Sequence, residues 1–372
     1  MPKHSGAQAS QRTGAHPQPA HLGGQIALVA GATRGAGRGI ARALGEAGAT
    51  VYCTGRSVTG RPSPYGRPET INETAALITA AGGQAIAVRV DHTVEDEVEA
   101  LVANIVKEHG RLDVLVNSVA GEEPLMGQWG SFWQVDVTNA DQVLRQALVS
   151  HIITAKHVAP HMIQRRRGLI VEVTENDVLG GGGNPLAWSV KTSIKGLALF
   201  MAAELHAHNV TSVAITPGFL RSEAMLDGFG VTEANWRDAG EKDRNFLESE
   251  SPLYVGRAVA ALAQDANMLA RTGQLWSSWE LSRDYGFTDA DGRRPDWGGL
   301  NTIDFSMLPP SFLEMFRTGM QLNAMWLTRL TERTARTLQQ LPPQASESRA
   351  QRSVGSRQRR LSVRGSRPRS RR

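Results

Sequence analysis

Residues 26–37 read Ile-Ala-Leu-Val-Ala-Gly-Ala-Thr-Arg-Gly-Ala-Gly, an apolar run followed at once by a glycine-rich turn. The apolar run is short and well bounded, which predicts a buried strand, and residues 38–48 carry apolar side chains at helical spacing. Glycines let a phosphate approach the main chain, and the helix N-terminus offers unpaired N–H groups. The segment therefore predicts the first half of a dinucleotide-binding βαβ unit; the alternative is a glycine turn that holds no ligand.

The positive charge of the chain is confined to its C-terminal end. The 372 residues carry a formal net charge of +5, and residues 341–372 contain ten arginines and one acid, Glu347, which makes +9. Residues 1–340 therefore sum to −4. Because residues 341–372 are poor in apolar side chains, we expect a basic disordered tail. Such a tail would bind polyanions weakly, unless it is simply solvated and has no specific partner.

Composition also bears on the class of protein and its compartment. Apolar residues make up 41% of the chain, enough for a sizeable core, and no apolar run reaches the length of a transmembrane helix. Residues 1–24 lack the apolar centre of a secretion signal, and residues 1–23 are expected to be a disordered tail. The single cysteine, Cys53, excludes an intrachain disulfide. These features together indicate a cytoplasmic protein. We expect no metal site, since no cluster of cysteine or histidine has ligand spacing.

Strand and helix patterns alternate along most of the chain. The predicted strands cover residues 26–30, 50–54, 84–90, 112–116, 168–173, 210–215 and 273–277. Strands separated by helices imply parallel pairing, so we predict an α/β, doubly wound Rossmann fold with a seven-stranded, mainly parallel sheet. The domain is placed at residues 24–290, with a substrate lid at about 219–251. We expect residues 291–340 to form a C-terminal extension with an amphipathic helix at about 310–340, which would pack on the body of the protein, unless it covers a dimer partner or lies on a membrane surface.

Four motifs in the right order resemble the short-chain dehydrogenase/reductase superfamily. Gly31-x-x-x-Gly35-x-Gly37 is similar to its T-G-x-x-x-G-x-G turn, with Ala30 at the threonine position. Residues 117–121 (NSVAG) resemble its N-N-A-G, residues 217–222 (PGFLRS) its P-G-x-x-x-T, and residues 191–205 its catalytic helix. Residues 218–238 and 279–295 are similar to the branch that includes dehydrogenase/reductase member one.

The resemblance implies a set of cofactor-binding residues. They are Gly31, Thr33, Arg34, Gly35, Ala36, Gly37, Arg56, Asp91, Asn117, Lys191, Pro217, Gly218 and Ser222. An acid at the end of the second strand would bind the ribose 2′-hydroxyl of NAD, but Gly55 stands there, followed by Arg56. Arg34 lies in the turn beside the same position. Two guanidinium groups and no carboxylate favour NADP(H) over NAD(H).

The catalytic pattern departs from the family. The resemblance implies a lysine, a tyrosine four residues before it and a serine thirteen residues before the tyrosine. Lys191 fits the lysine and Thr174 keeps a hydroxyl at the serine position, but Ala187 stands where the tyrosine belongs. The family asparagine falls near Gln146 or Ala147 and is also absent. Glu175 and Asp177 are surrogate acids, unless they are loop carboxylates in water.

Two functions from different classes follow. The first is an oxidoreductase that moves hydride between NADP(H) and a carbonyl or alcohol, with Lys191 and Thr174 as catalytic residues. The second is an NADP(H)-binding pseudoenzyme that acts as a regulator or interaction partner, because the tyrosine is absent. Apolar side chains near residues 122–133 and 219–251 indicate an apolar substrate, unless they only pack the lid; a homo-oligomer is also compatible with the sequence. The apolar residues are Met126, Trp129, Phe132, Trp133, Phe219, Met225, Leu226, Phe229 and Trp236.

Overall fold

The computed structural model describes residues 22–63, 65–120, 125, 132–175 and 184–300. All of them belong to the first of two compact units, Met1–Asn301. The N-terminal tail up to residue 21, the helix predicted at 310–340 and the basic tail at 341–372 lie outside the described residues, as does Asp177.

The strands form one sheet in the order β3-β2-β1-β4-β5-β6-β7, and every pairing among them is parallel. They are β1 (Ile26–Ala30), β2 (Thr50–Gly55), β3 (Gln84–Arg89), β4 (Val114–Asn117), β5 (Gly168–Val173), β6 (Val210–Thr216) and β7 (Leu275–Ser277). The predicted doubly wound, seven-stranded Rossmann fold is confirmed. Because the strand order reverses between β1 and β4, a crevice opens there at the carboxyl ends of the strands.

Helices cover both faces of this sheet. They are α1 (Gly35–Glu46), α2 (Ile71–Ala80), α3 (Glu95–His109), α4 (Ala140–Leu144), α5 (Ser150–Arg165), α6 (Pro185–Leu205), α7 (Glu223–Phe229), α8 (Pro252–Gln264), α9 (Ser278–Tyr285) and α10 (Trp297–Leu300). The sequence predicts one helix over residues 140–165, but a π-helical turn, Arg145–Val149, separates α4 from α5. The Ser150 hydroxyl donates to the Gln146 carbonyl at 2.6 Å within this turn.

The apolar core is divided into two layers by the sheet. On one face Ala27 and Val29 of β1 belong to the cluster of α1 and α8, and on the other Ile26 and Leu28 belong to the cluster of α3 and α5. Alternate residues of a strand point to opposite faces, so a strand covered by helices on both sides must be apolar throughout. This explains why β1 is fully buried and reads as a continuous apolar run.

Packing begins before residue 24 and continues past residue 290. Leu22 is fully buried, and its N–H donates to the Ala47 carbonyl at 2.7 Å. At the other end the Tyr254 hydroxyl donates to the Pro295 carbonyl at 3.2 Å. The segment 219–251 contains α7 and a small apolar cluster of its own, built on Trp236 and Phe246.

Helices α1 and α8 cross in backbone contact at two glycines. A Cβ atom on Gly39 would lie 1.8 Å from the Pro252 carbonyl oxygen, and one on Gly256 would lie 2.3 Å from the Gly39 carbonyl oxygen. The crossing fixes α1 against α8, and both helices pack on the same face of the sheet. The glycine turn directly precedes α1.

Gly39→Ala should lower the free energy of unfolding by about 1–3 kcal/mol, because the added methyl group overpacks the crossing. Gly196→Ala is the matched control, since a Cβ on Gly196 of α6 meets nothing within 4 Å. That variant should gain about 0.5–1 kcal/mol, the usual advantage of alanine over glycine in a helix. Urea denaturation measures both, and equal stabilities would contradict the close crossing.

Candidate functional site

The glycine turn lies against the end of β4. The N–H groups of Gly31 and Ala32 both donate to the Thr54 carbonyl of β2, at 2.9 and 3.0 Å. Gly31 has a φ of +87°, and a Cβ atom there would lie 2.4 Å from the Ser118 carbonyl oxygen. Only glycine fits this position, so the turn is shaped by contacts from β2 on one side and β4 on the other.

A cavity of about 490 Å³ opens above this contact, at the carboxyl ends of the strands. The structure brings most of the residues implied by the sequence to its wall. They are Gly31, Thr33, Arg34, Gly35, Ala36, Arg56, Asp91, Thr174, Lys191, Pro217, Gly218 and Ser222. The turn that suits phosphates and the lysine–threonine pair therefore share one cavity.

Two implied residues, Gly37 and Asn117, do not line that cavity. Asn117 is fully buried at the end of β4, where its amide donates to Glu172 Oε1 at 2.8 Å and to the His151 carbonyl at 3.2 Å. The His151 Nε2 donates to the Val119 carbonyl at 3.0 Å, because a carbonyl oxygen only accepts. Glu172 Oε2 lies 2.6 Å from His151 Nδ1, so a buried polar network fixes the loop after β4 from below.

Arg56 and Asp91 lie near the ends of β2 and β3. The Asp91 carboxylate accepts from the N–H and the hydroxyl of Thr93, at 3.0 and 2.7 Å. Burial raises the pKa of this carboxyl, but the hydrogen bonds from Thr93 and the nearby Arg56 and His92 together outweigh burial, and the pKa lies below its usual range. The Arg56 guanidinium donates to Gln146 Oε1 at 3.1 Å, and the Tyr65 hydroxyl donates to the same oxygen at 3.3 Å. Gln146 thus holds Arg56 at the cavity wall from the π-helical turn.

Thr174 and Lys191 are adjacent in the cavity. The Thr174 hydroxyl donates to the backbone carbonyl of Lys191 at 3.0 Å, and Lys191 Nζ lies 3.3 Å from Glu175 Oε1. The Glu175 side chain is 56% exposed, so this carboxylate connects the lysine with solvent.

Ala187 lies one turn before Lys191 on α6 but outside the cavity wall. It is buried in an apolar cluster with Val143, Ala147 and Val190. The space beside Ala187 is bounded by α4 and the π-helical turn. Among the described residues, no tyrosine lies at this position of α6.

The loop that follows β6 closes the opposite wall. The Ser222 hydroxyl caps α7 by accepting the Met225 N–H at 3.3 Å. Glu223, the first residue of α7, accepts the Gly35 N–H at 2.7 Å and lies 3.3 Å from Arg38. Sequence reasoning missed Glu223, because nothing local to residue 223 indicates a partner that lies 188 positions earlier.

The apolar residues expected to line a substrate pocket divide into two groups. Phe219 and Met225 line the cavity, together with Leu220 and Trp297. Trp236 does not line the cavity and is buried in the apolar cluster of segment 219–251. Phe219, Met225, Leu226 and Phe229 pack against this cluster. Trp133 is 73% exposed, and Met126, Trp129 and the side chain of Phe132 lie outside the described residues.

Glu250 is a second residue that the sequence did not indicate. It is 1% exposed, and its Oε2 accepts the Gly218 N–H at 2.8 Å and the Ser278 hydroxyl at 2.5 Å. Burial raises the pKa of this carboxyl to about 8, since the two hydrogen bonds and Arg221 compensate only part of the lost hydration. The carboxyl is therefore mainly neutral at pH 7.

The described residues provide neither a metal site nor a membrane-spanning helix. They contain no group of three or more histidine, cysteine, aspartate or glutamate side chains that could hold a metal ion. No helix in the same part of the chain has the length and apolarity needed to cross a membrane.

Comparison with known sequences points to one family. The sequence profile of the family described as short chain dehydrogenase matches residues 25–228, which include all the implied site residues from Gly31 to Ser222. The mouse protein named dehydrogenase/reductase SDR family member 1 is 36% identical over 279 residues, covering 74% of this chain and 86% of the relative. Its human namesake is 33% identical over 278 residues, with the same two coverages.

Solved structures agree with the fold. A hydroxysteroid dehydrogenase from Escherichia coli superposes with a TM-score of 0.55 over 70% of this chain and 97% of its own, at 23% identity, and shows the fold alone. Actinorhodin polyketide ketoreductase, solved with NADPH, has a TM-score of 0.54 and 25% identity, covering 68% of this chain and 95% of its own.

The raised pKa of Glu250 predicts how stability changes with pH. Its folded pKa, about 8, lies above the ordinary 4.5, so the folded state retains a proton that the unfolded state loses. Stability from this group is fully present below the unfolded pKa and is lost as pH rises towards 8. Glu250→Gln has no carboxyl to titrate, so its stability should not fall with pH as that of the parent does. The melting temperature of the variant minus that of the parent should therefore be more positive at pH 7.5 than at pH 5.

The control is Glu99→Gln, which makes the same chemical change at an exposed position of α3. Its melting temperature relative to the parent should differ little between the two pH values. If the difference in melting temperature between Glu250→Gln and the parent is the same at both pH values, Glu250 is charged in the folded state.

Proposed function

The chain belongs to the short-chain dehydrogenase/reductase family, and from this premise we propose that it is an NADP(H)-dependent oxidoreductase acting on an apolar carbonyl or alcohol. One observation carries the proposal: the glycine turn, two arginines, Thr174 and Lys191 line the same cavity. The relatives are oxidoreductases by name and family, and oxidoreductase chemistry is therefore the class of activity for this chain.

The residues present fit a nicotinamide dinucleotide. Gly31 leaves no side chain between the turn and the end of β4, and Gly35 and Ala36 at the N-terminus of α1 line the cavity. The Gly35 N–H donates to Glu223 Oε2 at 2.7 Å, so Glu223 must release this N–H when a phosphate binds there. We assign the pyrophosphate to residues 31–37, the adenosine end to Asp91, and the nicotinamide end to Pro217, Gly218, Ser222 and Lys191. Asn117 is assigned to steadying the end of β4 beside the adenosine, since it is buried and does not line the cavity. When bound, the cofactor supplies or accepts the hydride.

The preference for NADP(H) is supported by charge at the end of β2. Gly55 ends the strand, Arg56 lines the cavity beside it, and Arg34 lines the cavity from the glycine turn. Gln146 anchors one nitrogen of the Arg56 guanidinium, which restricts the side chain before any ligand arrives. A guanidinium held in place loses less side-chain entropy when it pairs with a 2′-phosphate.

Proton transfer is assigned to the group around Lys191. Lys191 and Glu175 both line the cavity and lie 3.3 Å apart, and the Glu175 side chain is 56% exposed, so we assign to this pair the transfer of a proton inward from water. Thr174 orients the substrate oxygen once its hydroxyl turns away from the Lys191 carbonyl. Because no tyrosine occupies residue 187, we expect slow turnover in the parent protein, with the rate limited by proton supply.

The part of the cavity wall that would meet the substrate is apolar. Phe219, Leu220, Met225 and Trp297 form this part of the wall, which suits an apolar substrate beneath a lid at residues 219–251.

The single cysteine bears on the cell compartment. Cys53 is buried in β2, and burial raises the pKa of its thiol to about 12. A free, unreactive thiol is compatible with the cytoplasm, where we place the protein. A homo-oligomer and weak polyanion binding by the tail remain predictions.

Arg56→Ala should weaken NADPH binding selectively, by about 1.5–3 kcal/mol, the usual effect of losing a hydrogen bond to a charged group. NADH binding should change little, because NADH has no 2′-phosphate. Arg61→Ala is the control, since Arg61 is an exposed arginine of the same loop that does not line the cavity. Isothermal titration with both cofactors measures the effect. Equal affinity of the parent for NADPH and NADH would contradict the proposed preference for NADP(H).

Ala187→Tyr should raise the rate of NADPH-dependent carbonyl reduction by about 10²-fold, because it places a proton-donating phenol one turn before Lys191. The variant should also lose about 1–3 kcal/mol of stability, since the larger ring must displace Val143 and Ala147. Ala187→Phe controls for bulk: it should lose the same stability and gain no rate. The assay is NADPH oxidation with a panel of apolar ketones, aldehydes and quinones.

A parent that already turns over at ordinary dehydrogenase rates would show that another residue supplies the proton, and Glu175→Gln would then be the next variant. A stable, NADPH-binding Ala187→Tyr variant without any gain would favour the pseudoenzyme.

A further inference from the structure

Glu250 holds the loop from Pro217 to Ser222 by three separate hydrogen bonds. Its side-chain Oε2 accepts the Gly218 N–H at 2.8 Å. Its own N–H donates to the Phe219 carbonyl at 2.9 Å, and its carbonyl accepts the Arg221 N–H at 2.8 Å. One residue therefore engages three consecutive parts of the loop that lines the cavity.

The side chain contributes something that the two backbone bonds do not. Within this loop the backbone bonds fix Phe219 and Arg221, whereas the carboxyl binds Gly218, which lines the cavity. Its other donor, the Ser278 hydroxyl, lies outside the loop. Glu250 itself does not line the cavity. Any effect of its carboxyl on a bound molecule must therefore pass through the position of Gly218.

The surroundings of Glu250 show that this carboxyl is retained at a cost. Arg221 and Asp289, both buried, and Tyr254 face it electrostatically. Its second oxygen, Oε1, is buried with no hydrogen-bond partner in the described part of the chain. A buried polar atom without a partner is destabilising, and glutamate is rarely fully buried unless it is paired. The compensation lies in what Oε2 holds, the Gly218 N–H and the Ser278 hydroxyl.

We propose that Glu250 is a positioning residue for the nicotinamide end of the cofactor, which it orients by fixing Gly218 at the cavity wall. The inference rests on the proposed nicotinamide cofactor. The working form is the neutral carboxyl, since burial keeps its pKa near 8. Glutamine has the same shape and an acceptor oxygen, so it should replace the neutral carboxyl in this role.

Two ligands separate the nicotinamide end from the rest of the cofactor. NADPH has both ends, whereas 2′-phospho-ADP-ribose has the same adenosine, 2′-phosphate and pyrophosphate without nicotinamide. Glu250→Met removes the acceptor while nearly conserving volume, and Glu250→Gln keeps the acceptor. Glu233→Gln is the control, because Glu233 pairs with Arg221 and makes no hydrogen bond to Gly218.

Isothermal titration should show that Glu250→Met weakens NADPH binding by about tenfold, as expected when a buried donor loses its partner. Binding of 2′-phospho-ADP-ribose to the same variant should change by less than about twofold, since its contacts lie on the glycine turn and Arg56. Glu250→Gln and Glu233→Gln should bind both ligands like the parent. A thermal melt of each variant confirms that it is folded, and Glu250→Ala is the second disrupting variant if Glu250→Met does not fold.

Equal weakening of both ligands by Glu250→Met would mean a general structural role and would overturn the inference. The same holds if Glu250→Gln weakens NADPH as much as Glu250→Met, or if neither variant has an effect. A parent protein that binds neither ligand would instead overturn the proposed function. Titration of the parent protein therefore distinguishes a failure of the proposed function from a failure of the inference about Glu250.

Discussion

The cavity depends on the close backbone approach between the turn after β1 and the end of β4. Gly31 touches the Ser118 carbonyl across a space too small for a side chain, and the Ser118 N–H donates to the Ala30 carbonyl at 2.9 Å. The turn is held from the other side by the Thr54 carbonyl of β2. Since β1 lies between β2 and β4, α1 starts where the strand order reverses, and the carboxyl ends of the neighbouring strands lie beside it.

The cavity wall around Lys191 is built separately from the apolar cluster around Ala187. Lys191 and Thr174 remain in contact through a backbone hydrogen bond, because both are anchored by regular elements, α6 and the end of β5. Ala187 is on the same helix but belongs to an apolar cluster with α4 and the π-helical turn. The packing around residue 187 and the hydrogen bond between Thr174 and Lys191 therefore depend on different contacts.

Much of the wall's rigidity comes from ionisable groups that are buried behind it. Arg221 is fully buried, stacks over Trp236 at 4.1 Å and donates to Glu233 at 2.7 Å. Glu250 lies beneath Gly218, and Asp289 accepts the Ser251 N–H at 2.8 Å at the start of α8. Buried charges persist only where partners replace their lost hydration. These partners join the segment 219–251 to the body of the protein, so loop position and buried electrostatics are coupled.

Local pattern was enough to predict the parallel sheet and the glycine turn. Both follow from apolar runs, glycine spacing and strand ends, which depend on neighbours in sequence. Most of the residues that line the cavity, Asp91 and Gly218 among them, were indicated by the resemblance to the family, and parallel strands bring them together because their carboxyl ends lie at one edge of the sheet.

The roles of Gln146, Glu223 and Glu250 were decided only by tertiary structure. Their partners lie 90, 188 and 32 positions away, and no short motif records such distances. The π-helical turn that presents Gln146 likewise interrupts what reads as one regular helix. Backbone periodicity is a local property, whereas the burial that turns Glu250 into a neutral carboxyl exists only after distant elements have enclosed it.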